Sequence, residues 1–187
     1  LVWLSKFNPL SFIATAYVEI LRSTPVLVQI FIIYYGVFGM IDLPSFQMFG
    51  FIKFNRFFPG VVALGMNSGA YLCEIIRAGI LSVDSGQMEA ARSLGLPYSR
   101  AMIRVVLPQA IRTMIPSIIN QFIITLKDTS ILSVIGFPEL TNMGKTIAGN
   151  TFKSLQTWAI VGIMYMIVIV ALSKLAKRIE RRIDRGR

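Results

Sequence analysis

The chain has 187 residues, of which 55% are hydrophobic and 15% charged, and a mean hydropathy of +0.66. That is too apolar for an ordinary soluble domain and fits one membrane domain. The net charge is +10, and seven of the nineteen basic residues fall within 174–187, directly behind an apolar segment. This placement favours a cytoplasmic membrane flank over nucleic-acid binding, since no aromatic interleaving accompanies the charges. A single cysteine, Cys73, and no histidine exclude a disulfide framework, a metal cluster and most chemistry that needs an imidazole. The first residues carry no cleavable-signal pattern, so the apolar runs are expected to remain as permanent spans.

Residues 1–22 mix apolar positions with Tyr17, Glu19 and Arg22, as in a helix lying at the membrane interface. The first span is expected over 23–41, with Pro25 in its first turn, where a missing N–H costs little. Residues 42–56 combine Pro44, Gly50 and aromatics and read as an external loop. A second span over 57–80 contains Gly65-Met66-Asn67-Ser68-Gly69, small residues that let helices approach closely.

The longest polar interval follows. Asp84 or Ser85 can cap a short helix, and Asp84 with Gln87 has the spacing of a capping box, so a helix is expected to start there. Gly95 and then Pro97 end it, and a second helix resumes at about Tyr98. A third span is expected over 108–126, with Pro116, Asn120 and Gln121 facing protein or water. Residues 129–137 are too short to cross and read as a re-entrant or external segment. The last span covers 155–172, and the basic tail 173–187 follows it. With four spans, the inner segments hold fourteen basic residues, Lys6 and the tail among them, against five outside, which puts the 84–107 interval and the C-terminus in the cytoplasm.

Within that interval the order is Glu89-Ala90-Ala91, three residues, Gly95, nine residues, Val105, one residue, Leu107-Pro108. This pattern resembles the signature loop of bacterial ATP-binding-cassette (ABC) importer permeases, with Val105 where isoleucine is usual. The runs Arg22-Ser23-Thr24-Pro25 and Leu126-Lys127-Asp128-Thr129-Ser130 look like the polar amino-acid branch of that family, and the resemblance extends over essentially the whole chain. It implies an all-α polytopic helical bundle of the type I importer kind, forming a single permease domain over 1–187. Four spans are visible, and relatives usually carry one more before the point where this chain begins. It also implies a bacterial inner-membrane location and several partners: a cytoplasmic ABC ATPase dimer, a second permease subunit and an external solute-binding protein, besides membrane lipid. No Walker-type glycine loop is present, so ATP and magnesium belong to the ATPase and this chain is expected to hold no cofactor of its own. Glu89, Ala90, Ala91, Arg92, Gly95 and Arg100 are then the residues expected to couple the ATPase to the spans.

Two polar stripes recur at helical spacing inside the spans: Asn67, Tyr71 and Glu74 on the second, and Ser117, Gln121, Thr125 and Asp128 on the third. One reading makes them the walls of a solute path, because charges at such depth are expensive and often functional. The other makes them mutual hydrogen-bond partners, with Glu74 paired to Arg77 one turn away. Residues 127–130 are either a gate or the capped end of a helix. The expected function is a transport subunit. An ion-gradient-driven transporter or channel is the alternative, and a membrane enzyme would have only carboxylates such as Glu74 and Asp128 to work with.

Overall fold

The computed structural model describes residues 9–48, 50 and 52–184, with side chains as far as 178. Lys6, Arg185 and Arg187, counted above among the inner cations, lie outside these residues, as do the side chains of Arg181 and Arg182. Apart from one short hairpin and the connecting turns, the described chain is helical.

Helices α1 (Pro9–Ser23) and α2 (Val26–Phe31) meet at a sharp corner, their axes bent by 110°. Proline forces the break: Pro25 has φ −62° and ψ 136°, an extended conformation, and its carbonyl accepts the first bonds of α2 from Val28 and Gln29. Pro25 therefore stands before the first turn and not within it, and the helix expected from residue 23 begins at Val26. It continues through a wider π-helical stretch, Ile32–Val37, and a final 3-10 turn, Phe38–Met40. Nor does α1 merely lie at the interface. It packs against α3, where the Tyr17 hydroxyl donates to the carbonyl of Met66 at 2.7 Å. Gly69 leaves room for this contact, since a Cβ there would stand 3.2 Å from the Tyr17 oxygen.

The expected external loop contains a two-residue hairpin, β1 (Gln47–Met48) against β2 (Ile52–Lys53), and leads straight into α3 (Phe54–Leu81). Two helical stretches, Tyr98–Ile135 and Ser154–Arg178, are long and apolar enough to cross a membrane alone, and the bent pair α1–α2 makes a third if taken as one. The expected second span is long enough at 28 residues but less apolar. The cause is its place in the bundle: α3 touches α1, α2 and α6, so Asn67, Ser68 and Glu74 meet protein groups instead of lipid.

After α4 (Ser85–Ser93), helix α5 (Tyr98–Ala101) runs through a π-helical stretch, Met102–Val106, into α6 (Leu107–Asp128) and a 3-10 end, Thr129–Ile135. The result is one rod, Tyr98–Ile135, and not a span that starts at residue 108. Leu107 N–H donates to the carbonyl of Met102, five residues back. This wide turn immediately precedes Pro108, which has no N–H for Arg104 and whose ring would crowd that carbonyl in an α-turn. Residues 129–137, expected as a separate re-entrant or external segment, are mostly the tightened end of the same rod. Leu132 and Ile135 are buried there with Ile30 of α2, Ile33 of the π-helical stretch that continues it, and Ala63 and Leu64 of α3. Gly136 closes it at φ 70°, and its carbonyl accepts from Arg56 at 2.7 Å.

A helix that the sequence reading did not anticipate follows, α7 (Leu140–Thr151). Its N-cap is Glu139, whose carboxylate accepts from the N–H groups of Thr141 and Asn142 and from the Tyr165 hydroxyl of α8 (Ser154–Asp184). Among lipid tails, burial between helices gains packing rather than escape from water, so close approach matters most. It occurs at Gly144, where a Cβ would lie 2.9 Å from Val161, and at Gly79, where one would lie 2.9 Å from Met114 of α6.

Candidate functional site

The α1–α2 corner brings a polar cluster to the middle of α3. Pro25 interrupts the helical bonding of the carbonyls before it, and Gln29, one turn into α2, answers them. Its side-chain amide donates to the carbonyls of Leu21 and Thr24 and to the Thr24 hydroxyl, at 2.7, 3.0 and 2.8 Å. Its oxygen accepts from Asn67 at 3.0 Å. Asn67 is thus partly a structural tie. Between α3 and α6, Ser68 bonds Thr125 at 2.8 Å, and the Thr125 hydroxyl donates to the carbonyl of Gln121.

Between corner, α3 and α6 lies a cavity of about 490 Å³. Its walls are Arg22 to Val26 from the corner, Asn67 and Tyr71 from α3, and Gln121, Ile124 and Asp128 from α6. Four of the six expected substrate residues therefore face one space. Ser117 does not line it and is exposed, and Glu74 does not line it either. Glu74 acts one step behind: its two oxygens lie 3.7 Å from Arg22 and 3.2 Å from Arg77. The expected pair with Arg77 is therefore made, and Arg22 is a second partner that the helical spacing did not indicate. Arg22 also sits 5.7 Å above the Tyr71 ring centre, a cation–π distance.

The cavity is electrically two-ended. Arg22, steadied by Glu74 and Tyr71, supplies a cation, while the Asp128 side chain forms no hydrogen bond or salt bridge with a described residue and supplies a carboxylate. Arg22 lines the cavity as well, although the motif Arg22-Ser23-Thr24-Pro25 does not by itself place it there. The signal was a charge beside a proline break, and only the corner turns it inward.

The second candidate region is the turn between α4 and α5. Asp84 caps α4 by accepting from Gly86 N–H at 2.6 Å. The reciprocal half of the expected capping box is not made, because Gln87 instead accepts from the side chain of Gln109 at 3.3 Å. Gly95, at φ 83°, donates to Arg92, and Leu96 N–H reaches back to Ala91, which is the paired bonding of a Schellman closure. Glu89, Ala90, Arg92, Gly95 and Arg100 are exposed, but Ala91 is buried and faces inward, so it offers no surface to a partner. Glu89, Arg92 and Arg100 form no ion pair among the described residues, and Leu94 at the tip is 85% exposed.

Residues 2–185 match the family described as "binding-protein-dependent transport system inner membrane component". The chain is 37% identical over 180 residues to the arginine transport system permease protein ArtQ of Bacillus subtilis, covering 96% of this chain and 78% of that protein. It is 39% identical over 170 residues to the glutamine transport system permease protein GlnP of Escherichia coli K12, covering 91% and 74%. A crystal structure of an amino acid ABC transporter with histidines superposes with a TM-score of 0.86 at 40% identity, covering 97% of this chain and 80% of that one. With its bent first span, its long rod and its apolar last helix, the chain belongs to the family of binding-protein-dependent inner-membrane transport components and is an all-α permease subunit of an ABC importer.

Proposed function

We propose that this chain carries polar α-amino acids through the Arg22–Asp128 cavity, driven by ATP hydrolysis in a partner. The observation that carries the reading is the opposition of charge in one cavity, a cation at Arg22 and an unpaired carboxylate at Asp128. An amino-acid zwitterion presents the complementary pair, and each hydrogen bond left unmade at such depth costs several kcal/mol on the order of magnitude known for apolar media. The relatives named for arginine and glutamine, and the amino acid ABC transporter, agree with this class. Asn67, Tyr71 and Gln121 supply further donors and acceptors, and Glu74 holds Arg22 in place.

The 84–107 region is read as the coupling element, seated in a groove of a cytoplasmic ABC ATPase dimer that binds ATP and magnesium. Glu89, Arg92 and Arg100 offer unpaired charges there, and Leu94 an apolar tip. A second permease subunit completes the pathway, and an external solute-binding protein delivers the solute. That region and the C-terminus are read as cytoplasmic, a reading supported by the excess of basic residues on their side.

Uptake into proteoliposomes that contain the permease, its ATPase and the loaded binding protein tests the reading. Radiolabelled amino acids should compete with one another, whereas analogues with a blocked carboxylate or a blocked amine should not. Uptake that persists without ATP and follows an imposed ion gradient would favour the secondary-transporter alternative.

A further inference from the structure

Helix α6 carries an exposed polar face inside the stretch that is apolar enough to cross the membrane. One of its other faces meets α3 and the central cavity: Ala110 and Met114 lie against Gly79, and Gln121 and Asp128 line the cavity. Another is apolar and exposed, at Ile111 and Phe122, as lipid requires. The polar face runs through Gln109, Thr113, Pro116 and Asn120, at steps of four, three and four residues, which is the repeat of a single side of a helix. All four are exposed. Thr113 and Asn120 each stand two residues from one of the apolar exposed positions, which at about 100° per residue puts the polar and apolar faces on nearly opposite sides.

The polar face is unsuited to lipid. The Asn120 carboxamide forms no hydrogen bond with a described residue, and Pro116 brings no N–H to the carbonyl of Arg112. Arg112, at the edge of this face, adds an exposed cation without a salt bridge among the described residues. Hydrocarbon offers none of these groups a partner, so the face must meet protein or water. Its two ends show where it leads. Gln121, next to Asn120 in the chain, lines the central cavity, and Gln109 donates to Gln87 of α4 at 3.3 Å. The face therefore runs about 17 Å along the helix, from the level of the cavity to the 84–107 region. Its side chains offer amides and a hydroxyl, which both donate and accept, and none of the four residues is charged. Such a face complements a copy of itself across a twofold axis.

We propose that the second permease subunit stands opposite this face, and that the hydrated gap between the two chains is the way by which solute leaves the central cavity toward the 84–107 side. The inference rests on the functional reading above and deepens it, because it names the surface that the second subunit closes. Ile111 and Phe122 face lipid on the other side of the same helix.

The test uses the full permease–ATPase complex in nanodiscs, with Cys73→Ser as the background and one new cysteine at a time: Thr113→Cys, Asn120→Cys, Ile111→Cys or Phe122→Cys. All four positions are exposed, so each exchange leaves the packing intact. A charged methanethiosulfonate should label positions 113 and 120 about tenfold faster than 111 and 122, since hydrocarbon excludes a charged reagent. A flexible bismaleimide should join two permease chains through position 113 or 120 and through neither of the others, with the product identified by mass. Labelling of Thr113→Cys before reconstitution into proteoliposomes should abolish uptake, and labelling of Ile111→Cys should leave it unchanged. Equal labelling at all four positions would overturn the proposal. So would a linked product that lacks a second permease chain, or uptake that survives full labelling at position 113. Labelling and linking need no solute, so their failure leaves the amino-acid reading of the central cavity standing. Failed competition among amino acids, in turn, leaves the facing of the two subunits in place.

Discussion

Asn67 of α3 donates a 3.0 Å hydrogen bond to the side-chain oxygen of Gln29, whose own amide closes the open carbonyls of the α1–α2 corner. One buried glutamine therefore fixes both the angle of the corner and its attachment to the central helix. Gln29→Leu, similar in size, leaves the carbonyls of Leu21 and Thr24 without that donor and Asn67 without its acceptor. The expected loss is about 2–4 kcal/mol in stability, read from chemical denaturation of the purified complex. Gln29→Glu keeps the acceptor for Asn67 but turns a buried carboxylate oxygen onto the carbonyls of Leu21 and Thr24, and should cost at least as much as Gln29→Leu.

The glycines separate packing within the subunit from packing between subunits. A side chain on Gly79 meets Met114 and the carbonyl of Ala110, so Gly79→Val should destabilise the chain by about 1–3 kcal/mol, through overpacking. Gly65 has open space around it and is exposed on α3. Gly65→Leu should leave the single subunit as stable as before. If two permease subunits meet along this face, mass measurement of the solubilised complex should show a weakened pair; an unchanged pair would remove Gly65 from the interface.

Coupling should fail at two points for different reasons. Gly95→Pro removes a left-handed residue and its N–H bond to Arg92, so the Schellman closure is lost. Glu89→Lys reverses an exposed charge without touching the fold. Both variants should reach the membrane at normal levels, yet show ATP hydrolysis that no longer tracks uptake, or weaker association with the ATPase. Normal uptake and normal assembly in both would take the α4–α5 turn out of the mechanism.

Within the central cavity, Glu74→Gln loosens Arg22 and Gln121→Ala removes an amide from the wall. With the binding protein present, both are expected to lower maximal uptake more than they shift half-saturation, as follows if delivery and not the cavity sets the apparent affinity. Matched expression, uptake and stimulated ATPase rates decide this together. Ser117→Ala, at an exposed position outside the cavity, should leave uptake unchanged.

The legible parts of this chain were those governed by local rules. The cap at Asp84, the stop at Gly95 and the resumption at Tyr98 follow from single-residue backbone preferences, and all three occur. The walls of the cavity were legible in part, because Asn67 and Tyr71, like Gln121 and Asp128, recur at helical spacing. Ser117 obeyed the same spacing and still fell outside, since periodicity gives a face of a helix but not the depth at which another element covers it. What could not be read were long-range matters. The burial of Leu132 and Ile135 against α2 and α3 turned an expected separate segment into the end of a rod. Gln87 gave up its place in the capping box for Gln109, a partner 22 residues away.

The rod Tyr98–Ile135 has a mechanical consequence. At 1.5 Å per residue it is roughly 57 Å long, and Met114, pressed against Gly79, lies near its middle. It therefore behaves as a lever with its fulcrum inside the bundle. A tilt of roughly 10° about that point moves each end by roughly 5 Å in opposite directions, comparable to one turn of helix. The Tyr98 end joins the Gly95 turn, and the Ile135 end is wedged among Ile30, Ile33 and Leu64. A push on the turn would thus reach, inverted in direction, the place where the end of the rod packs against α2 and α3.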